Sequence, residues 1–300
     1  MSLLAKGIKR MREKKTTPPK NARSCKPIPD DLISLVRRRD ARLEEPRGKD
    51  GAIHVSALVS TGCARKLALE ISAAREGTAK PASVSSDMRV VWTMGRAAEK
   101  HVRQAWIEEL QERAFGSWQC RCGKTTSQNT FFSPDAVAEC CGGKLDQYIE
   151  IDLQHAGIGL TGHPDFVCQA EDGLRVVEIK SINASGFDSL KEPKPQHVAQ
   201  LLHYIDMMPG VTREKISPIG HVFYVRKEFS FKGVPYKSFD IDSSAPVHKM
   251  ALESGIDRAD SVRTYLDGGK LPSRLGQCKT PNTPTAKKCG ACELCFSYEG

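Results

Sequence analysis

The stretch Gly162-His163-Pro164-Asp165-Phe166, followed after a short interval by Glu178-Ile179-Lys180, decides how this chain is read. Residues 162–169 and 174–181 have the composition of strands, with β-branched Val176, Val177 and Ile179, and Glu171-Asp172-Gly173 forms the turn between them. Successive strand side chains alternate faces. Glu178 and Lys180 therefore share one face, and Ile179 points into the core. Asp165, on the neighbouring strand, is expected beside Glu178. Two adjacent carboxylates repel, and a divalent cation removes that cost; hard oxygen ligands suit Mg²⁺ or Mn²⁺. A nearby lysine can position or activate an attacking water while the metal polarises a phosphodiester. An isolated E-x-K occurs on many surface strands. Its pairing with Pro164-Asp165 gives it meaning.

Working outward, residues 195–208 read as a helix through Val198, Leu201, Leu202 and Ile205. Gln200 and Tyr204 are four apart and share one helical face. Upstream, Ser56 can cap a partly helical segment. A stronger helix spans about 88–113, with Val90, Val91, Met94, Ala98, Val102, Trp106 and Leu110 near the helical period. Strands are expected at 148–153, 220–226 and 236–241, and a second long helix at 245–266. The predicted class is α/β, a mixed central sheet flanked by helices.

These residues resemble the PD-(D/E)xK nuclease superfamily, in particular its RecB-like and Cas4-like branch. Pro164, Asp165, Glu178 and Lys180 match the paired-strand motif, and Gln200 with Tyr204 matches the branch's Q-x-x-x-Y helix motif. The resemblance covers about 55–296 and implies a restriction-endonuclease-like core. It also implies DNA cleavage, exonucleolytic on single-stranded ends, with the Gln200–Tyr204 face bordering the catalytic centre. The branch takes a further metal ligand, usually His, from an earlier helix four residues after a glycine. Here Gly95 leads to Glu99 at that spacing, with His101 as the alternative. Two residues are about 200° apart around a helix, so both cannot face one ion.

Eleven cysteines in a reducing compartment read as metal ligands rather than disulfides. The resemblance implies a [4Fe–4S] cluster on Cys63, within Thr61-Gly62-Cys63-Ala64-Arg65, together with Cys289, Cys292 and Cys295. The spacing departs from the family's wider second gap, and Cys278 is an alternative ligand. A structural zinc on Cys278, Cys289, Cys292 and Cys295 is the competing reading. The tail 271–300 is thus expected to be a cluster-binding segment. Cys120, Cys122, Cys140 and Cys141 suggest a zinc-ribbon-like insert over 117–146, although C-x-C and C-C depart from the usual C-x-x-C.

The net charge of +9 favours an anionic partner. Residues 1–28 read as a flexible basic arm. Arg65, Lys66, Arg96, Lys100, Lys191 and Lys194 are candidate phosphate contacts, which would be salt-sensitive and sequence-blind. No apolar run approaches the roughly 20 residues that span a bilayer. The opening MSLLAKGIKRMREKK is too short in apolar residues for a signal peptide, so the expected location is cytoplasmic, without a membrane. No phosphate-binding Walker loop is present, which excludes an ATP motor built on that motif. The expected partner is DNA, together with a recombination or replication protein of unspecified identity, in recombination, repair or phage DNA processing. The competing classes are a non-catalytic DNA-binding module on a nuclease fold, an RNA-directed nuclease and a redox protein.

Overall fold

The computed structural model describes residues 51–79, 86–124, 126–228 and 233–298, all within the unit Glu45–Gly300. The basic arm expected over 1–28 lies outside them. Strand β1 (Ile53–His54) runs into helix α1 (Val55–Thr61). Gly62 then takes the left-handed conformation (φ 58°), which a glycine adopts without cost, and so ends the helix. Cys63 restarts it as the N-cap of α2 (Ala64–Arg75). The partly helical segment expected from the sequence is therefore two helices hinged at Gly62-Cys63. Helix α3 (Ser86–Leu110) follows and ends in a single 3₁₀ turn at Gln111–Arg113.

The strands come next: β2 (Ala114–Cys120), β3 (Thr126–Phe131), β4 (Leu145–Ile149), β5 (Leu153–His155), β6 (Leu160–Gly162), β7 (Phe166–Ala170) and β8 (Gly173–Ile182). The chain continues through α4 (Ala184–Ser189), α5 (Pro195–Met207), β9 (Ile219–Arg226), β10 (Tyr236–Asp242) and α6 (Pro246–Leu266). Two short helices, α7 (Pro284–Lys287) and α8 (Cys292–Ser297), punctuate the tail.

The main sheet has seven strands in the order β10-β9-β8-β7-β2-β3, with β4 also on β2. Only β8 and β9 pair in parallel, so the sheet is mixed, as predicted. Val176 and Val222 bury against α5 and its neighbours on one face. Val177, Ile179 and Val225 bury on the other, with Val102 and Ile107 of α3. This odd–even division along β8 is the alternation read from the sequence. The cysteine-rich stretch after β2 is not set apart from the core, because β3 and β4 extend the main sheet across β2.

Two expectations need correction. A strand over 148–153 is replaced by β4 and β5, which join different sheets; β5 belongs to a small sheet, β1-β6-β5, that the sequence did not announce. The strand expected across 162–169 is also broken, so Asp165 is not on a strand. It occupies the bend between β6 and β7. Pro164 has no N–H to give a ladder, and the Asp165 carboxylate takes the backbone donor of β8 for itself.

Candidate active site

The bend at Asp165 is held from both ends. Its Oδ2 accepts the backbone N–H of Ile179 at 2.6 Å, and its carbonyl accepts from Arg103 Nη1 at 3.0 Å. The same Arg103 nitrogen donates to Glu150 Oε1 at 2.6 Å. Asp165 thus sits against β8 one residue beyond Glu178. Glu178 is 1% exposed, and its Oε1 pairs with Lys180, as their shared strand face predicts. Its other oxygen, Oε2, is buried without a hydrogen-bond partner among the described residues. An orphaned carboxylate oxygen is costly in a protein interior unless a cation meets it.

Glu99 approaches the same place from α3. Gly95, four residues earlier, is buried, and a Cβ there would lie 2.8 Å from Ser181 Oγ at the end of β8. The missing side chain lets α3 settle onto the strand. Burial raises the Glu99 carboxyl to about 7, with Asp165 pushing the same way and Lys180 opposing. Asp165 is raised to about 6 by burial, against the pull of Lys180 and the Ile179 N–H. Glu178 is raised well above the usual carboxylate range by burial and then by Asp165. Burial acts to depress Lys180, but Glu178 and Asp165 outweigh it, and its pKa is raised. His101 is exposed on the turn beyond, so of the two candidates it is Glu99 that joins the acidic group.

Helix α5 closes the site from the other side. Gln200 Nε2 donates to Tyr204 Oη at 2.8 Å, and both side chains are buried. Burial followed by Glu178 raises the Tyr204 phenol. Gly162 makes room for this ring, because a Cβ there would collide with it. One turn earlier, His197 Nδ1 lies 2.8 Å from the Tyr224 hydroxyl, which also accepts the Lys194 N–H at 2.9 Å. Burial, reinforced by Lys180, depresses His197 to about 3 and leaves it neutral. Tyr224 is the register partner of Lys180 on β9. His197, Gln200 and Tyr204 thus form one polar stripe facing the Glu178–Lys180 side of the sheet. Lys100, Arg96, Lys191 and Lys194 are exposed.

The profile of the PD-(D/E)XK nuclease superfamily matches residues 57–295. This chain belongs to that superfamily. No curated protein matches it. Membership carries a nucleic acid as substrate and a divalent metal as the usual cofactor. The orphaned oxygen of the buried Glu178 is a hard donor that suits such an ion, and Asp165 and Glu99 both act on its carboxyl electrostatically, although the three carboxylates do not form a set within 4.8 Å of one another. No described helix is long and apolar enough to cross a membrane.

This nuclease-family chain also carries two cysteine groups of different size. Cys120, Cys122, Cys140 and Cys141 offer sulfurs that all lie within 4.8 Å of one another. The Cys120–Cys122, Cys120–Cys140 and Cys122–Cys140 separations are 3.1, 3.5 and 3.3 Å. Four thiolates around one tetrahedral zinc sit about 3.8 Å apart, given Zn–S of about 2.3 Å. The group therefore has the dimensions of a single-ion site. The Lys124 backbone N–H pulls the Cys122 thiol down, but hydrogen bonds with Cys120, Cys140 and Cys141 outweigh it and push it up to about 12. These thiols resist sharing the space as thiolates unless a cation joins them.

Cys63, Cys278, Cys289, Cys292 and Cys295 line one pocket, bringing α2 together with the tail. They do not form a set within 4.8 Å; among the described residues only the middle group does. One expectation fails here. Arg65, taken as a phosphate contact, is 6% exposed and turned into this pocket. The sequence reading also missed Arg103 and Glu150. They pair across 47 positions of chain, and no local motif marks them.

Proposed function

We propose that the chain is a metal-dependent deoxyribonuclease of the RecB-like and Cas4-like branch, acting on DNA ends in recombination, repair or phage DNA processing. The observation that carries this is the buried Glu178, with one oxygen on Lys180 and the other orphaned, beside Asp165 and Glu99. In this reading Asp165, Glu178 and Glu99 hold Mg²⁺ or Mn²⁺. The ion, when bound, supplies Lewis-acid polarisation of the phosphodiester and acidifies the attacking water. Lys180 holds its proton and places its ammonium beside the attacked phosphate. Glu178 fixes that ammonium, and Arg103 fixes the Asp165 bend. Tyr204 and Gln200 wall off the carboxylates from one side and exclude water there. The exposed Lys100, Arg96, Lys191 and Lys194 supply backbone contacts that read charge and not sequence.

On this proposal the nuclease domain spans 55–296 and includes a zinc-bound segment over 117–146 and a cluster-binding tail over 271–300. Zinc on the middle cysteines is supported by their single-ion spacing. A [4Fe–4S] cluster at Cys63, Cys289, Cys292 and Cys295, with Cys278 as the alternative ligand, is supported by the meeting of these cysteines around one pocket.

The test offers end-labelled single-stranded DNA, double-stranded DNA and RNA to anaerobically purified protein, with Mg²⁺ or Mn²⁺ and with neither. The reading expects metal-dependent shortening of DNA from an end, as a ladder of short products. Internal cuts of circular DNA would replace the exonuclease with an endonuclease. Cleavage of RNA alone would remove DNA as the substrate.

A further inference from the structure

We infer that Arg65 is the counter-cation of the C-terminal thiolate group, so that the cluster's charge and the docking of the tail depend on each other through this one side chain. The inference rests on the reading of those cysteines as a cluster site. Arg65 is 6% exposed, and each of its three guanidinium nitrogens donates a hydrogen bond. Nε donates to Cys295 Sγ at 3.2 Å, Nη1 to Pro272 O at 3.1 Å, and Nη2 to Cys295 O and Tyr298 O, both at 3.1 Å. No carboxylate lies among these partners. A buried guanidinium is normally paired with an anion, because its desolvation is costly and a carbonyl carries only partial charge. The groups in this pocket that can supply full negative charge are the thiols, once deprotonated onto a metal.

A second feature points the same way. Cys63 is the N-cap of α2, and its sulfur accepts the Lys66 N–H at 3.5 Å. The positive end of a twelve-residue helix therefore opens onto the same pocket. Helix end and guanidinium together make a site built for an anion, and the chain's own anions there are sulfurs. Hydrogen bonds and positive charge at cluster sulfurs favour the more negative, reduced form. The same three carbonyl contacts clamp Pro272, Cys295 and Tyr298, so Arg65 can hold the tail at full strength only while its charge is balanced.

Arg274 is a natural control. It also donates to Cys295 O and Tyr298 O, at 2.9 and 3.4 Å, and it stacks on Phe296, but it makes no bond to a sulfur. A purely mechanical clamp would be weakened alike by losing either arginine.

The experiment compares anaerobically purified wild type, Arg65→Gln, Arg65→Lys and Arg274→Gln. Iron and zinc are assayed, iron loss to a chelator is timed, and the cluster is titrated with dithionite. Arg65→Gln should lose iron about tenfold faster than wild type and shift its reduction equilibrium about tenfold towards the oxidised form, about 59 mV for one electron. Arg274 also lines the pocket but makes no sulfur contact, so Arg274→Gln should shift the reduction equilibrium much less than Arg65→Gln. Should Arg65→Gln fail to fold, Arg65→Lys keeps the charge without the fork. It should hold the reduction equilibrium near wild type while hydrogen exchange in 272–298 speeds up. Equal behaviour of Arg65→Gln and Arg274→Gln, or an Arg65→Lys variant as tight as wild type, overturns the inference. Wild-type protein that carries zinc or no metal in this pocket overturns the cluster reading, and the inference with it.

Discussion

Replacing Gly162 by Ala is a small change with a calculable consequence. A Cβ at this position would collide with Cε1 of Tyr204 and would lie 3.2 Å from both Tyr204 Cδ1 and Val55 Cγ2. The ring cannot swing into solvent, because Tyr204 is 3% exposed and bonded to Gln200 at 2.8 Å. Relief must come from a shift of α5 or of the bend that carries Asp165. Overpacking of this kind costs about 1–3 kcal/mol. At about 2–4 °C per kcal/mol for a domain of this size, the melting temperature should fall by about 2–12 °C. Most of the cost should vanish when the ring is removed, leaving only the 3.2 Å approach to Val55 Cγ2. Tyr204→Ala loses about 3–5 kcal/mol by itself. In that background Gly162→Ala should then cost less than about 0.5 kcal/mol, giving a strongly non-additive cycle. Urea unfolding of the four proteins reads this directly. Equal costs in the two backgrounds would refute the close packing of Gly162 on Tyr204. Because Tyr204 flanks Glu178, cleavage by Gly162→Ala should fall by more than its loss of folded protein explains.

Other outcomes follow from single contacts. Arg103→Gln removes the donor to Glu150 and to the Asp165 carbonyl. Activity should drop about tenfold or more, the factor that about 1.4 kcal/mol represents, while the melting temperature moves only a few degrees. His203 is buried, and burial with Arg258 and His155 depresses it to about 4 from an ordinary 6.5. The folded protein therefore resists its protonation while the unfolded chain accepts it. Stability should decline as pH falls from about 6.5 to about 4 and level off below, by up to a few kcal/mol. His203→Gln should flatten that segment of the urea-midpoint profile. Cys122→Ser should abolish stoichiometric zinc at the middle cysteines and speed hydrogen exchange through β2–β4. Unchanged zinc content would exclude Cys122 as a ligand.

Much of the working region was legible because it is built from short-range patterns. The β7–β8 hairpin declares itself through Gly173 and its β-branched run, and α5 through its apolar period. The pairing of Gln200 with Tyr204 then follows from helical spacing alone. Glu99 was favoured over His101 by its distance from Gly95, and the structure gives a reason for that glycine in the contact of α3 with Ser181. What stayed hidden depends on the folded chain as a whole. Strands of two or three residues such as β1, β5 and β6 carry no usable period. The bend at Asp165 arises because a side chain outcompetes the ladder for the Ile179 N–H. Arg65 looks like any surface arginine until the tail, more than two hundred residues away, folds over it.

The central claim is that Asp165, Glu178 and Lys180 form a metal-dependent cleavage site. It is tested most directly by timing the cleavage of end-labelled single-stranded DNA in Mg²⁺ by wild type, Asp165→Ala and Lys180→Ala, each first shown to be folded. The account predicts cleavage by wild type that stops on chelation and falls at least about a thousandfold in both variants, in line with the loss of about 4 kcal/mol of transition-state stabilisation. Cleavage that survives in folded Asp165→Ala or Lys180→Ala at the wild-type rate would contradict it.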